Sequence, residues 1–412
     1  MKVLIVNLSD IEGGAARAAY RLHQSLLGEG VDSQMLVINK RTTDYTVLSS
    51  NTKSSKLLDA VRPSIEQLPV KFYKNKSKTT FSNSCIGKRN LFKIINEINP
   101  DIVHLHWICG GMIRIEDFKK IKAPIVWSLH DMWAFTGGCH YNEDCNRYQV
   151  GCGECKVLHS RHASDLSSRV WKRKNRTYNR VNSLTIVGLS SWLNDCSKNS
   201  FLLKGKKHYN LPNPINTNLY RPFDKSQARD LWRLPKDKKL VLFGAMGATS
   251  DPRKGYVLLK EALAEIKHND VELIVFGSSK PKDSQNLGFK THYLGHIHDD
   301  VSLVTLYSCV DVMVVPSVQE NLSNAIMESL ACGTPVVGFN IGGNSDMIEH
   351  KLNGYLAPAF DITELSRGID WVINNNSKNE ISEYARTKVV TCFDSEKVGK
   401  RYLSLYKEIL RN

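Results

Sequence analysis

The chain has 412 residues, of which 42% are hydrophobic and 24% are charged. This composition excludes a largely disordered protein, and at about 100–200 residues per domain the length predicts two domains. The formal net charge of +15 favours an anionic partner such as a phosphate, a nucleic acid or a membrane surface. The first 200 residues hold 29 basic and 17 acidic side chains and the remainder 27 and 24, so most of the surplus lies in the first half.

The N-terminus begins with a short apolar run, Val3 to Leu8, which cannot form a signal peptide or a membrane span. No later stretch has the ~18–20 uninterrupted apolar residues that a spanning helix needs. We therefore expect a cytoplasmic protein that touches a membrane only peripherally, on its inner face. Six scattered cysteines are expected to be reduced and mostly buried in that compartment. They are Cys85, Cys109, Cys196, Cys309, Cys332 and Cys392.

Short runs rich in Val, Ile and Leu recur along the chain and alternate with segments long enough for a helix. Such runs predict parallel sheets covered by helices on both faces. Residues 209–224 contain three prolines and predict a linker between a first domain, 1–208, and a second, 225–388. The predicted fold is α/β, with two Rossmann-like, doubly wound parallel-sheet domains facing a central cleft. The runs are KVLIVNL, SQMLVIN, DIVHLHW, PIVWSLH, LTIVGLS, KLVLFGA, VELIVFG, VDVMVVPS and TPVVGFN.

The first strand leads through Gly13 and Gly14 into a helical pattern. Glycines at this position let backbone N–H groups approach a phosphate near the favourable field of a helix N-terminus. A tight turn without any ligand explains the same pair.

In the second half, Arg253 and Lys254 follow a strand and precede a helix. Two cations at a strand end suit a diphosphate, whose negative charge must be neutralised as it departs. The alternative is a solvated surface pair.

Two carboxylates follow the next motif-bearing strand. Glu320 lies in a loop, and Glu328 lies eight residues later in a helix that begins near Ser323 and Asn324. Free amides at that helix start, with Glu320 on sugar hydroxyls and Glu328 on ribose hydroxyls, suit a nucleoside diphosphate sugar. An ordinary helix-surface carboxylate is the alternative for Glu328, and the small residues after it disfavour that reading.

The E-x(7)-E spacing of Glu320 and Glu328, the run ESLACGTPVV, the pair Gly342-Gly343 and the step Lys254-Gly255 resemble a known family. It is the retaining, GT-B-fold, group 1 glycosyltransferases of surface polysaccharide synthesis, such as capsule and O-antigen enzymes. The resemblance implies hexosyl transfer from a nucleotide diphosphate sugar with retention of configuration and no catalytic metal or cofactor. It also implies that the departing diphosphate assists attack by the acceptor hydroxyl.

The resemblance also assigns residues. It makes His130, Lys254 and Glu320 catalytic, with His130 beside the transferred sugar; a strand-end histidine bonded to backbone is the alternative for His130. Two departures stand out, because Gly244-Ala245 replaces a usual Gly-Arg and Asn321-Leu322-Ser323 replaces Gly-Phe-Gly. Arg253 is therefore expected to supply the missing cation. The donor-binding residues implied are Gly13, Gly14, Arg253, Lys254, Ser323, Asn324 and Glu328. His104 and His106, on the neighbouring strand, are expected to be structural or to line the cleft.

A cysteine-rich insertion is predicted at 137–160, after His130 and beside the acceptor side of the cleft. Its four cysteines lie close in sequence, which in a reducing compartment suits a structural zinc ion. Four reduced cysteines packed in an irregular insertion are the alternative. The residues concerned are Cys139, Cys145, Cys152 and Cys155.

Basic segments in the first half favour an anionic membrane surface, where a lipid-linked saccharide acceptor would reside. They are Lys71, Lys74, Lys76, Lys78 and the run 171–176, for which solubilising surface positions are the alternative. Residues 389–412 have a helical pattern, and the resemblance implies that this helix packs back on the first domain.

The favoured function is thus glycosyl transfer from a nucleotide sugar, with a UDP-sugar as first choice, to a lipid-linked saccharide. A nucleotide-sugar epimerase of the same architecture is the alternative. Nucleic-acid binding is not favoured, because the chain has no recognised binding module and no basic tract interleaved with aromatics.

Overall fold

The computed structural model describes residues 1–49, 55–244, 247–268, 270–278, 289–375 and 380–411. The chain forms two compact units. Unit 1 comprises Met1–Asn213 and Val398–Asn412, and unit 2 comprises Pro214–Lys397. Each unit has its own parallel sheet and its own hydrophobic core.

Unit 1 contains a seven-stranded sheet in the order β3-β2-β1-β4-β5-β6-β7. Every pairing is parallel, so the carboxyl ends of all strands lie at one edge of the sheet. The strands are β1 (Lys2–Ser9), β2 (Asp32–Asn39), β3 (Val47–Ser49), β4 (Ile102–Leu105), β5 (Ile125–Leu129), β6 (Leu184–Gly188) and β7 (Lys207–Asn210). The helices before the second unit are α1 (Gly14–Gly28), α2 (Ser55–Glu66), α3 (Leu68–Lys71), α4 (Leu91–Ile98), α5 (Leu166–Tyr178) and α6 (Ser191–Lys198).

Alternation along β1 divides the core of unit 1 between the two faces of the sheet. Leu4 and Val6 belong to one buried cluster, and Val3 and Ile5 belong to another. A strand that is apolar on both faces needs cover on both, which is why this sheet is central rather than half-exposed.

Unit 2 contains a six-stranded parallel sheet in the order β10-β9-β8-β11-β12-β13. Its strands are β8 (Lys239–Gly244), β9 (Val271–Phe276), β10 (Thr291–Tyr293), β11 (Val312–Val315), β12 (Val336–Phe339) and β13 (Gly354–Ala357). The remaining helices are α7 (Lys225–Trp232), α8 (Tyr256–Ala264), α9 (Asp300–Cys309), α10 (Asn324–Ala331), α11 (Asn344–Met347), α12 (Ile362–Asn375), α13 (Glu380–Cys392) and α14 (Ser395–Arg411). The predicted α/β fold with two parallel sheets is confirmed.

Two predicted boundaries differ from the structure. The segment 209–224, predicted as a linker, includes the last two residues of β7. The helix predicted over 389–412 is two helices, because α13 ends at Cys392 and α14 begins at Ser395. From Val398 onward, α14 belongs to unit 1, where Tyr402 and Tyr406 are fully buried in the cluster that contains Val3 and Ile5.

The basic run 171–176 lies in α5 and differs from the predicted surface patch. Lys174 is fully buried, donates to the carbonyl oxygens of Trp133 and Thr136, and lies over the Trp133 ring. Burial lowers the pKa of Lys174 to about 7. Arg173 pairs with Glu116, with its Nε 2.6 Å from a carboxylate oxygen. Two of the four cations in this run therefore hold the fold together and do not face a partner.

Candidate active site

In unit 2, the predicted donor-binding residues follow β8 and β11, and the motif pair Gly342-Gly343 follows the neighbouring β12. These strands are neighbours in the sheet, so their carboxyl ends lie side by side. Lys254 follows β8 and Glu320 follows β11, and the structure brings their side chains together. Lys254 Nζ lies 3.0 Å from Glu320 Oε2, and both side chains are partly buried. The two residues predicted to act on the diphosphate and the sugar thus form one ion pair.

Two glycine turns hold this pair in place. Gly255 has φ +71°, and a Cβ atom there would overlap the carbonyl oxygen of Pro316. Gly342 has φ +50°, and a Cβ atom there would overlap the carbonyl oxygen of Glu320. The N–H of Gly343 donates to that same Glu320 oxygen at 3.2 Å. Only glycine permits these close approaches, so the sequence fixes the backbone on which Lys254 and Glu320 stand.

Arg253, predicted as the second donor cation, is paired with Asp251. Its Nη2 atom lies 2.6 Å from Asp251 Oδ2. Burial opposes ionisation of Asp251, but the bonds to Arg253 hold its pKa below the ordinary value. The Gly244-Ala245 departure is only half visible, because Ala245 lies outside the described residues.

Helix α10 contributes the other unit 2 residues. Ser323 is its N-cap residue and Asn324 its first residue, so the helix begins beside the Glu320 loop. Glu328 is only 4% exposed and accepts a hydrogen bond of 2.9 Å from the hydroxyl of Tyr307. Burial, with a further contribution from Glu328, raises the pKa of Tyr307 well above its usual range. Glu328 is thus a buried carboxylate and not a residue of a solvated helix face.

In unit 1, His130 follows β5 and His106 follows β4, so the two histidines meet at the same sheet edge. His106 Nδ1 lies 2.9 Å from His130 Nε2. Burial lowers the pKa of His130 to about 4, against the opposing effect of Asp131, so His130 is neutral near physiological pH. A small pocket lies here, lined by His106, Trp107, Ile108, Cys109, Trp127, Leu129, His130, Asp131, Trp133 and Ala134.

The neighbouring nitrogen indicates where His106 holds its proton. His106 Nε2 is buried and has no hydrogen-bond partner among the described residues. Burial keeps the ring neutral, because it lowers the pKa of His106 well below its usual value. An orphaned buried N–H costs more than an orphaned lone pair, so the proton belongs on Nδ1 and is donated to His130. His106 therefore orients His130, while His104 is bonded to Tyr406 and Ser128 inside the core.

Sequence reasoning missed Asp131 and His140. Asp131 Oδ2 lies 2.6 Å from His140 Nδ1 and 3.1 Å from the indole nitrogen of Trp107, and its Oδ1 accepts from the N–H of Trp133. Burial works against ionisation of Asp131, but these contacts hold its pKa below the ordinary value. The adjacent letters His130-Asp131 were the available signal. The pairing with His140 depends on a turn that no local pattern indicates.

Gly13 and Gly14 lie where the sequence predicts, at the start of α1. Gly13 has φ +96°, and a Cβ atom there would meet nothing within 4 Å. Asp10 shapes the preceding loop, since its carboxylate accepts from the N–H groups of Arg41 and Thr42. The backbone at Gly13 is therefore open, as an approach by a phosphate requires.

The structural zinc ion at the four cysteines of the insertion stays a prediction. Within the described part of the chain, no group of three or more His, Cys, Asp or Glu side chains could hold a metal ion. Burial first, and then nearby thiols, raise the pKa values of Cys139, Cys152 and Cys155, the second to about 12 and the third to about 11. The influence of these thiols on one another's pKa shows that the four cysteines lie near each other in the insertion.

Comparisons with known proteins agree with this geometry. The family described as Glycosyltransferase Family 4 matches residues 12–219, and the family described as Glycosyl transferases group 1 matches residues 224–388. The putative colanic acid biosynthesis glycosyl transferase WcaC of Escherichia coli is 21% identical over 99% of this chain and 100% of its own length.

Two solved structures resemble the whole chain. Sucrose-phosphate synthase from Thermosynechococcus elongatus superposes with a TM-score of 0.69 at 18% identity, covering 100% of this chain and 99% of its own. The Anabaena protein HepE, solved with UDP-glucose, gives a TM-score of 0.62 at 17% identity, covering 99% of this chain and all of its own.

The two parallel-sheet units and these structural neighbours define a GT-B fold. The chain belongs to the group 1 glycosyltransferases, with a Family 4 N-terminal part.

Proposed function

We propose that the protein is a retaining hexosyltransferase that moves a sugar from a UDP-sugar to a lipid-linked saccharide during bacterial surface polysaccharide synthesis. The observation that carries the proposal is the Lys254–Glu320 pair, held at the carboxyl ends of neighbouring strands by Gly255 and Gly342. The relatives support the donor and the pathway, since HepE was solved with UDP-glucose and WcaC is named for colanic acid biosynthesis.

In unit 2, the proposed chemistry is mainly electrostatic. Lys254 neutralises the diphosphate as the bond to the sugar breaks, and the start of α10 at Ser323 and Asn324 adds backbone N–H donors. Glu320 accepts hydrogen bonds from the sugar hydroxyls, and Glu328 accepts from the ribose. When Lys254 pairs with the diphosphate, the Glu320 oxygen that it leaves can accept a hydrogen bond from the sugar. The one ion pair thus supplies a contact to the diphosphate and a contact to the sugar.

In unit 1, we assign Gly13 and Gly14 to the donor phosphates and His130 to the transferred sugar. Because Nε2 of neutral His130 accepts from His106, its own proton is on Nδ1, and the ring adds no charge that would compete with the developing positive charge on the sugar. Arg253 completes the donor set if a phosphate displaces Asp251. The resulting mechanism needs no catalytic metal, because positioning and fixed charges supply the stabilisation.

The test is turnover of a panel of nucleotide sugars with membrane lipid extract as acceptor, followed by NMR of the product linkage. We expect one UDP-sugar to be consumed, UDP to be released and the new linkage to keep the donor's anomeric configuration. An inverted linkage would contradict the retaining mechanism. Conversion of the donor to an isomer without acceptor would favour an epimerase instead.

A further inference from the structure

Helices α2 and α3 turn apolar side chains toward solvent. Along this segment, the large apolar side chains are between 44% and 86% exposed. They are Leu58 at 67%, Val61 at 44%, Ile65 at 46%, Leu68 at 50% and Phe72 at 86%. Single exposed apolar residues are ordinary on a protein surface, but a row of five on one short segment marks an interaction site.

These five residues form one stripe. Their spacing alternates between three and four positions, which places them on one face of a helix. The helical backbone continues across the junction, because Gln67 and Phe72 have right-handed helical φ and ψ and the N–H of Lys71 donates to the carbonyl of Gln67. The stripe therefore runs unbroken along both helices.

The opposite, buried face of the same segment carries two carboxylates in α2, whereas Val70 in α3 packs in a small apolar cluster. Asp59 is 8% exposed and pairs with Arg62 and with Lys88, whose Nζ lies 2.7 Å from Asp59 Oδ2. Glu66 is fully buried and accepts from the N–H of Ser84 at 2.9 Å. In α2, the buried carboxylates and the exposed apolar side chains reverse the pattern of a helix that packs on a protein core. The outward face is built for an apolar surrounding.

Charge identifies that surrounding. Four exposed lysines lie at the end of the stripe, with Lys71 just before Phe72 and Lys74, Lys76 and Lys78 after it. The acidic residues between positions 58 and 80 are Asp59 and Glu66 alone, and both are buried. The exposed charged side chains of this segment are thus all cationic, and they lie beside the apolar stripe. An anionic lipid surface offers both an acyl layer and negative head groups, whereas a second copy of the same face would meet like charge.

We propose that α2 and α3 form a membrane-docking face, in which the stripe enters the boundary of the acyl chains and the four lysines contact anionic head groups. This face lies in unit 1. Its proposed purpose, to bring the enzyme to a lipid-linked acceptor, rests on the proposed function. Among the described residues, no helix is long and apolar enough to cross a membrane.

The test measures co-sedimentation of the full chain with vesicles of phosphatidylcholine containing phosphatidylglycerol. We expect the double variant Leu68→Ser, Phe72→Ser to bind at least about tenfold more weakly than wild type, because two apolar anchors are lost. Lys71→Gln with Lys74→Gln should weaken binding by about fivefold per lysine and reduce its salt sensitivity. The matched control is Tyr45→Ser with Val150→Ser, two exposed apolar residues of the same unit, which should bind as wild type does.

Three results would overturn the docking face. The first is a failure of the wild-type protein to bind these vesicles at low salt. The second is unchanged binding by the Leu68, Phe72 variant. A concentration-dependent dimer abolished by that variant would assign the stripe to a second copy. UDP binding and donor turnover are measured on the same samples, so loss of those activities with intact vesicle binding would fault the proposed function alone.

Discussion

Lys254 and Glu320 each neutralise the other at the carboxyl ends of β8 and β11, at a distance of 3.0 Å. A pair that is only partly buried contributes little to folding, in the range of about 0–1 kcal/mol for exposed pairs. The pair lies beside two glycine turns and the start of α10, a position that suits ligand binding better than a role in stabilising the fold. At the scale of single residues, we therefore propose that this ion pair serves a substrate and not the stability of the fold.

We expect Lys254→Ala to lower kcat for sugar transfer by about 10²–10³-fold, because the departing diphosphate loses its main cation. Glu320→Gln keeps the size of the side chain but removes the charge, and should also lower turnover strongly. The free energy of unfolding of both variants should lie within about 1 kcal/mol of the wild-type value. The measurement is steady-state turnover with thermal unfolding alongside.

The matched control is Lys236→Ala, which removes another lysine of unit 2 that pairs with a carboxylate, Asp230, on the surface. It should turn over as wild type does. Full activity of Lys254→Ala, or a comparable loss in Lys236→Ala, would show that the pair has no special role.

The positions of Lys254, Glu320 and His130 at strand ends could be predicted from the sequence. Each residue follows an apolar run, and within each sheet the residues after parallel strands lie at the same edge. The hydrogen-bond partners of the unit 1 residues could not be predicted. His140 contacts Asp131 because an irregular turn brings the two together. Lys174 belongs to a basic run that predicts a surface position, but the fold buries it. Long-range pairing and burial of a charged group depend on the whole packing, which local patterns do not contain.

At the scale of elements, the turn Gly342-Gly343 after β12 sets the position of the Glu320 loop. We expect Gly342→Ala to lower transfer at least about tenfold, because a Cβ atom would push the backbone of Glu320 away from Lys254. Gly295→Ala is the control, since Gly295 has a similar φ of +67° but nothing within 4 Å of a Cβ atom.

The two glycine variants share the cost of a left-handed residue and differ only in the clash. Equal loss of activity in both would mean that backbone strain, and not displacement of Glu320, is responsible. Turnover and thermal unfolding of each variant give the comparison.

The strands show where sequence patterns succeed. All nine predicted runs are strands, whereas β3, β7, β10 and β13 were missed. β3, β7, β10 and β13 stand at the edges of the two sheets, and β7 and β10 are partly exposed. Edge strands are short and need no apolar run on both faces, so their signal is weak.

At the scale of the whole molecule, unit 1 buries an unusual set of neutral histidines. Burial lowers the pKa of His23 to about 4 and that of His104 to about 3, and lowers those of His106 and His130 too. Below about pH 6.5 these histidines bind protons in the unfolded chain but stay neutral in the folded one. The free energy of unfolding therefore falls as the pH falls toward 4.

We therefore expect the free energy of unfolding to drop by up to about 1.4 kcal/mol per pH unit for each such histidine in this window. His104→Gln should make the dependence on pH shallower, even if it lowers stability at neutral pH. Urea unfolding across the window measures the slope. A flat profile, or an unchanged slope in the variant, would contradict buried neutral histidines.

Charge at this scale is divided between roles. Part of the first-half surplus is structural, at Arg173 and Lys174, and part is exposed at Lys71 to Lys78 beside the apolar stripe. In the nearly balanced second half, Lys254 is the cation that we propose for a donor phosphate.

The central claim is that a nucleoside diphosphate binds at Lys254, and calorimetric titration of UDP into the full chain tests it most directly. We predict saturable binding by wild type and by Lys236→Ala, and at least about tenfold weaker binding by Lys254→Ala. Absence of saturable binding by wild type, or equal affinity in Lys254→Ala, would contradict the account.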